Sequence, residues 1–255
     1  MAVILKNVSK TFEGDVHALH HVSLEIPDGK FVSVIGRSGA GKSTLLRSIQ
    51  GMQQVDEGEI WVDGKDMASL KGKKKRVLQQ KIGMIFQDFC LVEQSSALQN
   101  VLNARLYEMP LWAVAVGHFS KTQKQEAEEL LEKVGLSAKK DQPAALLSGG
   151  EKQRVAIARA LMQRGTVLLA DEPVASLDPA NAAEVLGLLK QLQREAKITI
   201  LMNSHNVKQA MEFSDWLIGL SEGRVVFEGT GEELTAEKLE EIYHGQKPER
   251  AGENT

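Results

Sequence analysis

The 255-residue sequence contains a single cysteine, Cys90. One thiol excludes an internal disulfide and suits a reducing compartment. No apolar run approaches the roughly 20 residues that a membrane-spanning helix needs. The opening stretch, Met1-Ala2-Val3-Ile4-Leu5-Lys6, lacks a basic region followed by a long apolar segment, so no signal peptide is expected. There is no basic excess: the formal net charge is −3, which argues against a nucleic-acid binder. Internal repeats and low-complexity tracts are also missing. What remains, with 42% apolar and 25% charged residues, describes a soluble globular chain.

The chain is organised around Gly36-Arg37-Ser38-Gly39-Ala40-Gly41-Lys42-Ser43-Thr44, which matches G-x-x-x-x-G-K-[ST]. The apolar run Phe31–Ile35 precedes it and reads as a buried strand. Leu45, Leu46 and Ile49 follow at helical spacing. Such a loop turns successive backbone N–H groups inward around phosphate oxygens, at a helix start that favours negative charge. Lys42 then reaches the β- and γ-phosphates, and Ser43 is a ligand for Mg²⁺. Gly36, Ser38, Gly39, Gly41, Lys42, Ser43 and Thr44 are accordingly expected to bind nucleotide.

Strands are expected at Val3–Val8, Val22–Ile26, Glu59–Val62, Ile82–Phe86, Val167–Ala170 and Ile198–Met202, with a hairpin at Trp216–Leu220 and Arg224–Phe227. Alternating buried strands and helices imply a mostly parallel sheet covered on both faces. From about Ser95 to Met162 the pattern is helical, which reads as a helical insertion in an α/β domain. Ser120–Gln123 is a capping box there, and Gly135 ends its helix. Phe12, placed in a loop between the first two strands, is either core or a stacking platform for adenine. Lys71–Arg76, nearly all basic, reads as a solvated helix face, with a contact to anionic lipid headgroups or an acidic partner as the alternative. Gln246–Thr255 reads as a disordered polar tail.

Asp171-Glu172 ends the strand Val167–Ala170. In a phosphate-loop ATPase, Asp171 holds Mg²⁺ and Glu172 polarises the attacking water. Leu147-Ser148-Gly149-Gly150-Glu151 reads as a second anion site, a serine-capped helix start with exposed N–H groups.

These motifs together resemble the ATP-binding cassette family over residues 1–245, where Leu147–Glu151 is similar to the signature usually written LSGGQ. The resemblance implies a phosphate-loop NTPase (RecA-like) core with an N-terminal antiparallel β subdomain and an inserted helical subdomain, residues 90–162, carrying the signature. It implies that Gln87 touches Mg²⁺ and links to a transmembrane partner, that Asp178 lies in the D-loop, that His205 contacts the γ-phosphate and that Phe12 stacks on adenine. Lys42, Gln87, Glu172 and His205 are then the catalytic set. Ser43, Gln87 and Asp171 are the Mg²⁺ set, and Ser148, Gly149 and Gly150 bind ATP across a head-to-tail homodimer.

The family's glutamine is Glu151 here. Glu151 is expected to bond back to the Ser148 N–H, and its charge either weakens ATP sandwiching or is neutralised by Lys152 or Arg154. Weaker likenesses, in Phe86–Val92, Asn100–Asn103, Pro110–Trp112 and Asp171–Pro179, point to phosphonate importers. The expected role is the ATP-hydrolysing motor of a bacterial importer for phosphonate or an oxyanion such as phosphite. It would sit on the cytoplasmic face of the inner membrane with two permease subunits and, indirectly, a solute-binding protein. The alternatives are a cassette for another solute (amino acid, lipoprotein or metal chelate) and a non-transport cassette, though neither a second cassette nor a coiled-coil insertion is present. Residues 88–116 are the expected permease-docking surface. Phe89, Leu91, Leu111 and Trp112 belong either to its groove or, as the favoured reading, to the helical core.

Overall fold

A computed structural model describes residues 3–244. The polar tail from 246 onward therefore lies outside the described residues. The chain opens with β1 (Val3–Phe12) and β2 (Val16–Ile26), antiparallel to each other, then β3 (Phe31–Ile35) and α1 (Lys42–Gln50). Next come β4 (Glu57–Val62), β5 (Lys65–Asp66), the basic helix α2 (Gly72–Gln79) and β6 (Ile82–Ile85). A helical stretch follows, with α3 (Ala97–Leu102), α4 (Leu111–Ala115), α5 (Lys121–Lys133) and α6 (Gly149–Met162). The alternating pattern resumes with β7 (Val167–Asp171), α7 (Pro179–Ala196), β8 (Thr199–Ser204), α8 (Val207–Phe213), β9 (Trp216–Ser221), β10 (Arg224–Gly229) and α9 (Ala236–His244).

Two sheets form. One is antiparallel, in the order β2-β1-β4-β5. The other runs β10-β9-β3-β8-β7-β6, parallel throughout except for β10. This is the expected phosphate-loop NTPase architecture. Side chains of the parallel strands alternate between two cores, as a period of two requires. Leu168 and Ala170 of β7 join the cluster under the helical stretch, whereas Val167 and Leu169 face the cluster shared with the antiparallel sheet. Each fully buried Leu or Val of this kind contributes about 1.5–3 kcal/mol. Because β3, β6, β7 and β8 are parallel, their carboxyl ends share one edge of the sheet, where ligands of such folds bind.

Three expectations need correction. Phe12 is not in a loop: β1 extends through it, and it pairs with Val16 of β2. Antiparallel pairing with β2 carries the strand past the polar residues that interrupt its apolar pattern. Leu111 and Trp112 are not core, being 89% and 66% exposed. The preceding proline starts a five-residue helix too short to bury both faces, and Ala113 takes the inward position. Finally, the partner of Glu151 is neither Lys152 nor Arg154 but Lys139, whose Nζ lies 2.5 Å from Glu151 Oε1, while Arg154 pairs with Glu184.

Candidate active site

β3 ends at Ile35, and the chain turns at Gly36 with φ 154°. A Cβ there would lie 2.2 Å from the Leu220 carbonyl oxygen, and one at Gly41 (φ 103°) would lie 2.0 Å from that of Ala18. Only glycine fits either position. Gly41 caps α1 without any side-chain acceptor. The first N–H groups of this helix thus have no side chain to bond, whereas Ser148 and Asp178 cap α6 and α7. An uncapped helix start behind a glycine loop is a seat for an anion.

Lys42 is nearly buried. Its Nζ donates to the carbonyls of Gly36 at 2.7 Å and Arg37 at 2.9 Å. Burial lowers its pKa, and the nearby carboxylates of Glu172 and Asp171 pull it back up. Ser43 Oγ donates to Asp171 Oδ1 at 2.9 Å. Asn203 Nδ2 donates to the same oxygen at 2.7 Å, and Arg47 lies 3.8 Å from Asp171 Oδ2. Glu172 follows with φ 52°, a left-handed conformation unusual for a side chain of its size. Its carboxylate pairs with His205 Nε2. Such stored strain is characteristic of functional positions.

Lys42, Ser43, Asp171, Glu172 and His205 therefore come together from two strand ends and one helix start. Gln87, just past β6, is exposed, and its side chain makes no hydrogen bond among the described residues. Phe12 is 42% exposed, with the Lys10 ammonium 5.5 Å from its ring centroid. Thr44 lies in the first turn of α1.

The expected second anion site, at the start of α6, stands apart. Ser148 Oγ accepts from Glu151 N–H, and Ser148 N–H donates to Glu151 Oε2 at 2.9 Å, completing a capping box. The Lys139 ammonium and the Ser148 N–H hold the Glu151 carboxyl below its usual pKa. Gly149 and Gly150 face Leu177 and Asn181. Asp178 accepts from Ala180 N and Asn181 N at 3.2 and 3.1 Å, which lowers its pKa together with the Asn181 side chain. Among the described residues, no hydrogen bond or ion pair links 148–151 to the 36–44 loop.

A family model described as ABC transporter matches residues 19–175. The chain belongs to the ABC transporter family. This ABC protein is 45% identical over 250 residues, 98% of each chain, to the phosphonates import ATP-binding protein PhnC of Lactobacillus johnsonii. It is 43% identical to the hypophosphite import ATP-binding protein HtxD of Stutzerimonas stutzeri, over 95% of this chain and 71% of that one. Among solved structures, it superposes with TM-score 0.79 and 34% identity on the ATP-binding cassette MJ0796 in a dimeric post-hydrolysis state bound to ADP and Pi, covering 90% of this chain and 98% of that one. It also resembles cbiO1 of Clostridium perfringens, part of the transporter complex cbiONQ, with TM-score 0.81 and 30% identity over 93% and 91% of the two chains.

Sequence reasoning missed several members of the site. Asn203, two residues before His205, shares Asp171 with Ser43. Arg47 lies four residues beyond Ser43, and that helical spacing could have placed it on the same face. Arg159 of α6 donates to the carbonyls of Phe89, at 2.8 Å, and Cys90, pinning the segment after Gln87. Phe89 and Cys90 both have positive φ, which no motif announced.

Proposed function

We propose that this ABC protein is the ATP-hydrolysing motor subunit of a bacterial importer for phosphonate or a related phosphorus oxyanion. The convergence of Ser43, Asp171, Glu172 and His205 behind the glycine loop carries the hydrolytic part of this reading. The substrate class rests on the near-full-length likeness to the L. johnsonii PhnC, and the HtxD likeness extends it to reduced oxyanions.

The donor set fits Mg²⁺. Ser43 Oγ and Asp171 are hard oxygen ligands within hydrogen-bond distance of each other, and Gln87, just past β6, supplies a further side-chain oxygen. No cluster of three or more His, Cys, Asp or Glu residues able to hold a metal is found among the described residues. Ser43, Gln87 and Asp171 would hold the ion, which would supply neutralisation of the triphosphate charge. Lys42 exchanges its carbonyl partners for β- and γ-phosphate oxygens, and the α1 N–H groups cradle them. Phe12 stacks on adenine. Glu172 takes a proton from the attacking water, which becomes the new oxygen of the released phosphate, and ADP leaves. His205 orients Glu172 and contacts the γ-phosphate.

Within one chain the signature does not reach the glycine loop. A second copy supplies Ser148, Gly149, Gly150 and Asp178 head-to-tail, so two ATP molecules are clamped between two subunits. Closing and opening of that dimer is the two-state element that drives transport. No helix among the described residues is long and apolar enough to cross a membrane. The motor acts at the cytoplasmic face, on two permease subunits that receive solute from a binding protein. Residues 88–116, with Leu111 and Trp112 exposed, dock against them. The test is twofold. The purified chain hydrolyses MgATP, and a strain lacking it loses growth on phosphonate as sole phosphorus source. An active ATPase whose loss leaves phosphonate uptake intact assigns the motor to another solute.

A further inference from the structure

The basic run is not used by the hydrolytic site. Lys71, Lys73, Lys74, Lys75 and Arg76 sit at the start of and along α2, and none makes an ion pair among the described residues. The carboxylate ahead of the run, Asp66, is taken up by the N–H groups of Ile60, Ala68 and Ser69. Lys81, behind it, is matched by Asp63 at 3.4 Å. The whole chain carries −3, so with these five cations set aside the remainder carries −8. Uncompensated positive charge is therefore concentrated on one short helix.

Two further features accompany the charge. Val77, 44% exposed, lies three and four residues beyond Lys74 and Lys73, on the same face of α2. An apolar group flanked by cations suits the boundary between headgroups and acyl chains. Beneath α2 lies a cavity of about 230 Å³ whose polar lining is Lys71, Lys75, Gln53, Gln54 and Ser48, with Ile60, Met67 and Leu70 among its apolar walls. Ser48 is 1% exposed, and its Oγ has no hydrogen-bond partner among the described residues. A buried hydroxyl left unbonded costs free energy, and an acceptor oxygen entering the cavity would restore its bond. Lys71 and Lys75 in the same lining favour that acceptor being an anion.

We propose that α2 and the cavity beneath it bind anionic phospholipid headgroups, the cavity seating one phosphate and the exposed cations lying on the surrounding surface. The placement rests on the reading of the chain as a peripheral motor. α2 enters the edge strand β6, and the segment proposed to dock on the permease leaves that strand at its other end. The proposed headgroup contact is therefore separate from the permease-docking segment.

Co-sedimentation of the full chain with vesicles tests this, with ADP saturating so that the glycine loop is filled. The wild type pellets with phosphatidylcholine vesicles containing phosphatidylglycerol and not with phosphatidylcholine alone. Lys73→Gln/Lys74→Gln/Arg76→Gln weakens that partition roughly 100-fold, about fivefold for each cation removed, while ATP hydrolysis by the same variant, assayed separately without ADP, is unchanged. Retained hydrolysis also separates failure of this proposal from failure of the motor reading. A soluble short-chain phosphatidylglycerol binds the wild type saturably, and Lys71→Gln/Lys75→Gln loses that binding; equal binding by this variant removes the cavity from the proposal. Equal partition of wild type and triple variant, or indifference to phosphatidylglycerol, overturns it. So does displacement by inorganic phosphate at matched ionic strength, which assigns a free-phosphate site, or preferential capture of polyglutamate, which assigns an acidic protein partner.

Discussion

Ser43 and Asp171 lie 128 positions apart in the chain and meet through a 2.9 Å hydrogen bond at the carboxyl edge of the parallel sheet. Asn203 from β8 holds the same carboxylate oxygen at 2.7 Å, so Asp171 is oriented from both sides before any ion arrives. Ser43→Ala and Asp171→Asn are therefore expected to raise the Mg²⁺ concentration needed for half-maximal hydrolysis at least tenfold, in line with the loss of a metal-orienting partner. A Mg²⁺ titration of ATPase activity at fixed ATP checks this, and an unchanged midpoint removes the pair from the metal set.

Glu172→Gln keeps the shape of the side chain but cannot take a proton from water. Turnover should fall by about 10²–10⁴-fold, and ATP-loaded dimers should accumulate. Single-turnover kinetics and size-exclusion chromatography with MgATP report both. Wild-type turnover in this variant takes Glu172 out of the chemistry.

Glu151→Gln preserves an acceptor for the Ser148 N–H, so the capping box survives. It removes a negative charge close to where the partner subunit's nucleotide is proposed to lie. ATPase activity is expected to hold or rise, and a large drop refutes the capping account. The lost pair with Lys139 changes stability by less than about 1 kcal/mol. Because the Glu151 pKa is depressed in the folded state, its contribution is present at neutral pH and is lost as pH falls through that lowered value.

Lys42 titrates below the ordinary 10.5 because burial disfavours its charge. ADP affinity, which needs the ammonium, should decline as pH rises through that lowered value, measured by calorimetry between neutral and alkaline pH. Lys42→Arg should show no such decline over the same range. Without nucleotide the sign reverses for stability: the folded chain prefers neutral Lys42, so the burial penalty applies below the lowered pKa and is relieved above it.

Leu111→Glu/Trp112→Glu alters two exposed side chains outside the nucleotide site. Hydrolysis by the isolated chain should be unchanged, while recovery of the permease with it falls by an order of magnitude or more, the scale of an interface hot spot. Undiminished recovery moves the docking surface elsewhere.

Much of this was legible locally. Glycine loops, serine and aspartate caps and five-residue apolar runs act over a few neighbouring residues, so the order of strands and helices, the glycine loop and the capping box of Glu151 could be read in the sequence. Phe12 could not be placed, because antiparallel pairing with β2 rather than its own neighbours made it part of a strand. Leu111 and Trp112 were misread for a related reason: apolar character predicts burial only when a neighbouring element is there to cover it.

By itself the sequence determined the phosphate-binding chemistry, since N–H arrays and a Lys-Ser pair are specified by consecutive residues. Only the tertiary structure decided which distant groups share a charge: Asn203 and Arg47 at Asp171, Lys139 at Glu151, Arg159 at the carbonyls of Phe89 and Cys90. The physical reason is that electrostatic and hydrogen-bond energies depend on distance through space, and parallel strand order brings together ends that the chain keeps far apart.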